Sequence, residues 1–192
     1  MNQILTDIFE NQGTQSLTLS NFNSLNDKLF DDYIENCHFS TIMFITICFE
    51  EWTISNTNFE SCFFQNCTFY NNSILKSSIY DSQFYDCKFL NCKLTPRVEF
   101  FRSSFHNCEF SNVDFTSIFL LKCKFQNIIL TKINLEATCI VDLKTENVRF
   151  YGLEFNKNKP LKFFKDEKDF PRKGCVKILN SLNFRKEILN LE

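Results

Sequence analysis

The apolar positions of this chain recur every fifth residue. In FYDCKFLNCKL, Phe84 to Leu94, the large apolar residues are Phe84, Phe89 and Leu94, with Cys87 and Cys92 two places before the second and third. A helix repeats its buried face at three and four residues and a strand at two, so a period of five matches neither. The period runs from Ile34 to Leu94, takes up one extra residue near Pro96, and continues from Phe100 to Phe155. Of its 25 centres, 24 are Phe, Ile or Leu, in a chain that is 44% hydrophobic. Chance does not produce that register.

A second position keeps phase with the first. Two residues before the centre stand Cys37, Cys62, Cys67, Cys87, Cys92, Cys108 and Cys123, seven of the ten cysteines. Alternation along an extended segment puts centre and minus-two on the same side, pointing inward. The remaining residues of each unit must turn the chain. Asn or Asp often precedes the minus-two residue, as at Asn36, Asn66, Asp86, Asn91, Asn107 and Asn127, and both accept turn geometry readily. A narrow inward site suits a small, weakly polar thiol, so these cysteines are expected to be buried and reduced packing residues. Cys67, Cys87 and Cys108 should stack on one face.

This five-residue pattern resembles the pentapeptide-repeat family over about residues 30 to 156. Cys or Ile often stands where that family most often has Ala, and the Asn sits one place earlier, which suggests a Phe/Cys-rich subgroup. The resemblance implies an all-β fold, a right-handed quadrilateral β-helix with four five-residue sides per coil. At four repeats per coil, 25 repeats make about six coils. Coils then stack residues 20 apart, so Phe49, Phe69, Phe89 and, past the insertion, Phe110 should form one ladder.

The expected organisation is an N-terminal cap over 1–29, the solenoid over 30–156, and a basic C-terminal segment over 157–192, with short helices at the ends. Ile4, Leu5, Ile8 and Phe9 have helical spacing, and Leu17 and Leu19 fall in the repeat register. Near the C-terminus, Cys175, Ile178, Leu179 and Leu182 are spaced as one helical stripe. That segment also looks like the C-terminal helix of the quinolone-resistance and microcin-immunity branch of the family, which implies a homodimer joined end to end. There is no apolar run of about 18 residues to span a membrane. The N-terminus lacks the pattern of a secretory signal, so a cytoplasmic location is expected.

Charge is uneven. Residues 30–94 carry eight acids against three bases, whereas residues 156–192 carry ten bases against five acids. The acids are Asp31, Asp32, Glu35, Glu50, Glu51, Glu60, Asp81 and Asp86. Ordinary solvation accounts for such a distribution, and so does an acidic rod that looks to a partner like duplex DNA. Outward apolar residues gather separately. Tyr80, Phe101, Leu121 and Val141, with Phe119 alongside, fall on one inferred side, and Met43, Ile45, Phe63 and Tyr85 on another. Apolar patches of this kind mark contact surfaces, unless a terminal segment folds back over them.

Phosphate loops, dinucleotide fingerprints, nucleophile elbows and zinc-helix motifs are absent. His38 and His106 both sit beside centres and should point outward. No catalytic role, cofactor or metal is expected. Two functions compete for a non-enzymatic binding protein. In the first, it is a DNA mimic that docks on gyrase or topoisomerase IV through the acids, dimerises through Cys175–Leu182, and does not itself bind nucleic acid. In the second, it is an interaction scaffold that uses the apolar stripe to hold a protein partner.

Overall fold

The computed structural model describes residues 17–20, 33–154, 161–164 and 177–179. Strands of mostly three residues alternate with corners of mostly two, and every strand pair within the repeats is parallel. Four sides result. Side one stacks Ile34, Ile54, Ile74 and Leu94. Side two stacks Phe39, Phe59, Ile79, Phe100, Leu120, Ile140 and Phe163. Side three stacks Phe44, Phe64, Phe84, Phe105, Phe125 and Thr145, and side four stacks Phe49, Phe69, Phe89, Phe110, Leu130 and Phe150. Six stacked strands on side three make about six coils, an all-β solenoid. Sides three and four merge into one sheet because Lys124–Asn134 and Lys144–Glu154 each run straight through the corner between them.

Each corner is set by one residue. Twenty-three non-glycine residues, spaced five apart except across the insertion, have φ between 48° and 60°. This left-handed region costs most L-residues about 1–2 kcal/mol, and Asn and Asp tolerate it best. They hold 12 of the 23 positions, including all six Asn and Asp corners expected from the sequence. The energy is recovered by stacking, because most corner N–H groups reach the next coil, as Asn66 N does to Tyr85 O at 2.9 Å and Asp86 N to His106 O at 3.0 Å. Corner side chains ladder as well. Asn147 Nδ2 donates to Asn127 Oδ1, Asn127 Nδ2 to Asn107 Oδ1, and Asn107 Nδ2 to Asp86 Oδ1, at 2.9, 2.9 and 3.1 Å. The extra residue is absorbed after Leu94, where Thr95–Pro96 is cis and Lys76 N still reaches Pro96 O at 2.8 Å.

The core is a stack of aromatic rings. On side four, Phe49, Phe69, Phe89 and Phe110 lie parallel with centroids 4.7, 4.5 and 4.6 Å apart. On side three, Phe44, Phe64, Phe84 and Phe105 do the same at 4.6, 4.5 and 4.6 Å. The side-three ladder ends where Phe125 turns edge-on to Phe105 at 78°, one coil before Thr145 takes a centre position. A cavity of about 10 Å³ opens there, between Phe125, Leu130, Thr145 and Phe150.

The minus-two residues do more than fill space. Cys67 Sγ donates to Phe44 O at 3.3 Å, Cys92 Sγ to Phe69 O at 3.3 Å and Cys123 Sγ to Phe100 O at 3.3 Å, each 23 residues earlier. At other minus-two positions Asn72 Nδ2, Ser103 Oγ and Thr138 Oγ1 serve the equivalent carbonyls of Phe49, Ile79 and Phe115. The site takes small or β-branched side chains: Cys, Ser, Thr and Asn add a hydrogen bond to a backbone carbonyl there, whereas Val98, Ile118, Ile128 and Ile133 fill it with apolar volume alone. All nine described cysteines are free thiols.

At the N-terminal end, Leu17–Ser20 pairs parallel with Ile42–Ile45, and Leu17 and Leu19 align with Ile42 and Phe44, in the repeat register. The expected N-terminal helix lies outside the described residues. The C-terminal expectation needs correction. Lys177–Leu179 is a strand, antiparallel to Leu161–Phe164, with Ile178 opposite Lys162 and Leu179 opposite Leu161. An exposed sheet edge recruits backbone more readily than a short isolated helix forms. Cys175 and Leu182 lie outside the described residues.

Candidate partner-binding surface

With the core filled, the chemistry left to a partner is on the outer wall, at the positions flanking each centre and at the corners. The acids do not come together there. Glu35 is on side one and accepts from Ser55 Oγ at 3.2 Å. Glu50 is on side four and Glu51 at the corner leading from it to side one. Glu60, on side two, faces His38 Nε2 at 3.5 Å. Asp81, at the corner between sides two and three, is held by Arg102 at 2.6 Å. Asp86 is one corner further round and accepts from Asn107. Asp31 and Asp32 lie outside the described residues. Exposed pairs of this kind are worth roughly 0–1 kcal/mol, so they shape the local field rather than the stability.

The apolar stripe does come together, on side two. Tyr80, Phe101 and Leu121 stack in one outward column, and Tyr80 meets Phe101 edge-on at 6.0 Å. Phe119 stands beside them, 36% exposed. The Arg102 guanidinium lies 4.7 Å above the Phe101 ring and Lys122 Nζ 5.7 Å from it. Val141 ends the column differently. It is 2% exposed and packs with Cys139, Phe164 and Leu121 in a small second cluster outside the solenoid wall. The accessible part of the stripe is therefore Tyr80, Phe101, Phe119 and Leu121.

Side three carries Phe63 and Tyr85, grouped by the sequence, and a continuation through His106, Gln126 and Glu146 that sequence reasoning missed. Phe63 and Tyr85 are 5.3 Å apart, and Tyr85 stacks on His106 at 4.6 Å and 7°. His106 Nδ1 is 2.8 Å from Gln126 Oε1, and Gln126 Nε2 donates to Glu146 Oε2 at 2.9 Å. With the amide oxygen turned to the ring, His106 Nδ1 carries the proton. The signal was the spacing of 20 or 21 between Tyr85, His106, Gln126 and Glu146, visible once the insertion is placed. Side one is mostly polar, and side four exposes Ile129 and Tyr151 near the last coils.

Reactive chemistry has little footing. Among the described residues no group of three or more His, Cys, Asp or Glu is arranged to hold a metal ion. Burial pushes the Cys62 and Cys92 thiols up to about 11 and Cys123 up to about 12. Contacts with the Cys108 and Cys67 thiols, with burial added, push Cys87 up further. These groups stay protonated, the opposite of an activated nucleophile.

The five-residue period, the left-handed corners and the parallel stacking are now all in place. The fold is a pentapeptide-repeat-like β-solenoid. Solved structures similar to it include a trypsin-treated form of QnrB1, a plasmid-mediated fluoroquinolone resistance protein, at 14% identity and TM-score 0.34 over 80% of this chain and 76% of that one. HetL, a pentapeptide-repeat protein involved in heterocyst differentiation regulation in Nostoc sp. strain PCC 7120, is similar at 8% identity and TM-score 0.31, over 79% and 90%. Rfr23, a pentapeptide-repeat protein from Cyanothece 51142, is similar at 10% and 0.34, over 81% and 97%. No protein-family model and no curated protein matches the chain.

Proposed function

We propose that this solenoid is a non-enzymatic protein-binding module that holds its partner on side two. One observation carries the reading. Tyr80, Phe101 and Leu121 form one apolar column, with Phe119 beside it, on the outside of a wall whose inner face is already packed. Aromatic residues with a neighbouring Arg are the composition of binding hot spots. The alternative partner chemistry, an acidic surface offered to gyrase or topoisomerase IV in place of DNA, draws support from the net acidity of residues 30–94. Dispersal of Glu35, Glu50 and Glu60 over three sides weighs against it, because a DNA-like track needs its charges along one line.

Two variants separate the readings. Phe119→Asp places a charge in the column without touching the core. The triple change Glu50→Lys, Glu51→Lys, Glu60→Lys reverses acids and spares the column. Each is immobilised beside the parent chain, and bound proteins are quantified by mass spectrometry, with purified gyrase run in a supercoiling assay alongside. The proposal expects loss of the bound partner with Phe119→Asp and retention with the triple variant. Loss with the triple variant alone, together with gyrase protection by the parent, would replace it with the topoisomerase reading.

A further inference from the structure

Three thiols run in line inside side four. Cys67, Cys87 and Cys108 hold the minus-two position of successive coils, in register, with Lys88 N on Cys67 O at 2.9 Å and Glu109 N on Cys87 O at 3.0 Å. Each is at most 1% exposed. Their orientations match, because each Sγ meets the carbonyl two residues before it and that of the side-three centre one coil back. These are Gln65 and Phe44 for Cys67, Tyr85 and Phe64 for Cys87, and His106 and Phe84 for Cys108. Matching side chains in register stand one strand spacing apart, about 4.8 Å. The Cys87 thiol is within hydrogen-bond reach of the Cys67 and Cys108 thiols.

Packing alone does not ask for sulfur in three coils running. Ile128 and Val148 fill the next two positions of the same column with hydrocarbon. On side three the equivalent column reads Cys62, Ser82, Ser103, Cys123, and hydroxyls keep its thiols apart. Soft thiolate sulfur selects soft ions such as Cu(I). A structural zinc site wants four ligands around one point, which three thiols in a row do not supply. A linear two-sulfur site needs only a pair. Two metal–sulfur bonds of about 2.3 Å end to end span about 4.6 Å, close to the spacing of adjacent thiols.

We propose that the Cys67–Cys87–Cys108 column is a Cu(I)-binding site in which one ion bridges Cys87 to one of its two neighbours. The ion enters as Cu⁺. One thiol of the pair gives its proton to solvent and binds as thiolate, and the other binds as the thiol. Nothing is oxidised or reduced. The charges of ion and thiolate cancel, as burial in an apolar core demands. The site lies inside the rod and is independent of the outward face of side two.

The test titrates the full chain with Cu(I), without oxygen and against a Cu(I)-selective chelator, on native protein and during refolding. The parent should hold one ion per chain, release one proton, and show only sulfur neighbours by X-ray absorption. Its melting temperature should rise with Cu(I). Cys87→Ser breaks both pairs and should weaken binding at least about a hundredfold, more than loss of a supporting contact costs. Circular dichroism should show that variant folded like the parent. Cys67→Ser and Cys108→Ser each leave one pair, so at least one of them should keep the ion, and the two changes together should lose it. Cys62→Ser, outside the column, should bind like the parent. No tight binding by the parent in either condition would overturn the proposal. Copper kept by Cys87→Ser would overturn it too, and would move the ion to the half-buried thiols Cys37 or Cys48. Loss with Cys67→Ser and with Cys108→Ser alike would put three ligands around one ion and contradict the pairwise geometry.

Discussion

The Cys87 thiol sits between two carbonyls, 3.3 Å from Tyr85 O and 3.5 Å from Phe64 O, the latter 23 residues earlier and one coil back. Ser82 Oγ sits in the same way between Tyr80 O at 2.9 Å and Phe59 O at 3.4 Å, and Ser103 Oγ between Ile79 O at 3.0 Å, across the insertion, and Phe101 O at 3.3 Å. Cysteine and serine are therefore interchangeable in role here although they differ in hydropathy. Cys87→Ser should retain the donor and cost less than about 1 kcal/mol. Cys87→Ala removes the thiol's hydrogen bond and part of its packing volume and should cost about 0.5–1.5 kcal/mol. Urea unfolding of the two variants decides it, and an alanine variant more stable than the serine variant would show that volume alone selects the residue.

The ring ladder carries the largest single contributions. Phe89 lies between Phe69 and Phe110 and is fully buried. Phe89→Ala should cost about 3–5 kcal/mol, through lost transfer energy and the cavity left in a stack that cannot collapse. Equilibrium denaturation measures this directly, and a cost under 1 kcal/mol would contradict the register.

Corners offer the converse. Thr41 is β-branched yet sits at φ 57°, where such residues are rare. Thr41→Asn should stabilise by roughly 0.5–1 kcal/mol, since the exposed side chain then suits the left-handed region. A thermal shift to lower temperature would mean that its hydroxyl bond to Ser40 O, at 2.7 Å, outweighs the backbone preference.

How much of this was legible in the sequence follows from what repeats. Stacking demands similar residues 20 apart, so the centres, the minus-two thiols and the Asn and Asp corners wrote the solenoid plainly. The donor role of the thiols was hidden because Cys passes for a small apolar residue. Asn72, Ser77 and Ser82 in the same phase were the available hint. Counting acids by stretches of chain concealed that Glu35, Glu50 and Glu60 belong to different sides. Val141 has the phase of an exposed stripe, and only tertiary packing against Phe164 buries it. At Ile178 and Leu179 the spacing suggested a helix where the backbone pairs as a strand, because four apolar residues are too few to separate the two.

The buried thiols make a pH prediction. Burial raises Cys62 and Cys92 to about 11 and Cys123 to about 12, above the ordinary 9.0. The folded state then holds protons that the unfolded state releases. Their contribution is intact below pH 9 and is lost as pH climbs through about 11 to 12. The melting temperature should hold level from pH 6 to 8 and fall above 9, less steeply in Cys92→Ser. Rapid labelling of most thiols at pH 8 in the native protein would contradict their burial.

The central claim is that one side of the rod does the binding. Its most direct test is partner capture by four variants, each with one aspartate on a different side: Ser73→Asp on side one, Phe101→Asp on side two, Tyr85→Asp on side three and Ile129→Asp on side four. Each change points outward, so the melting temperatures should stay close to the parent's. Mass spectrometry of the bound fraction should show the partner lost at least about tenfold with Phe101→Asp alone. Full binding by that variant, with loss from any other side, would contradict the account.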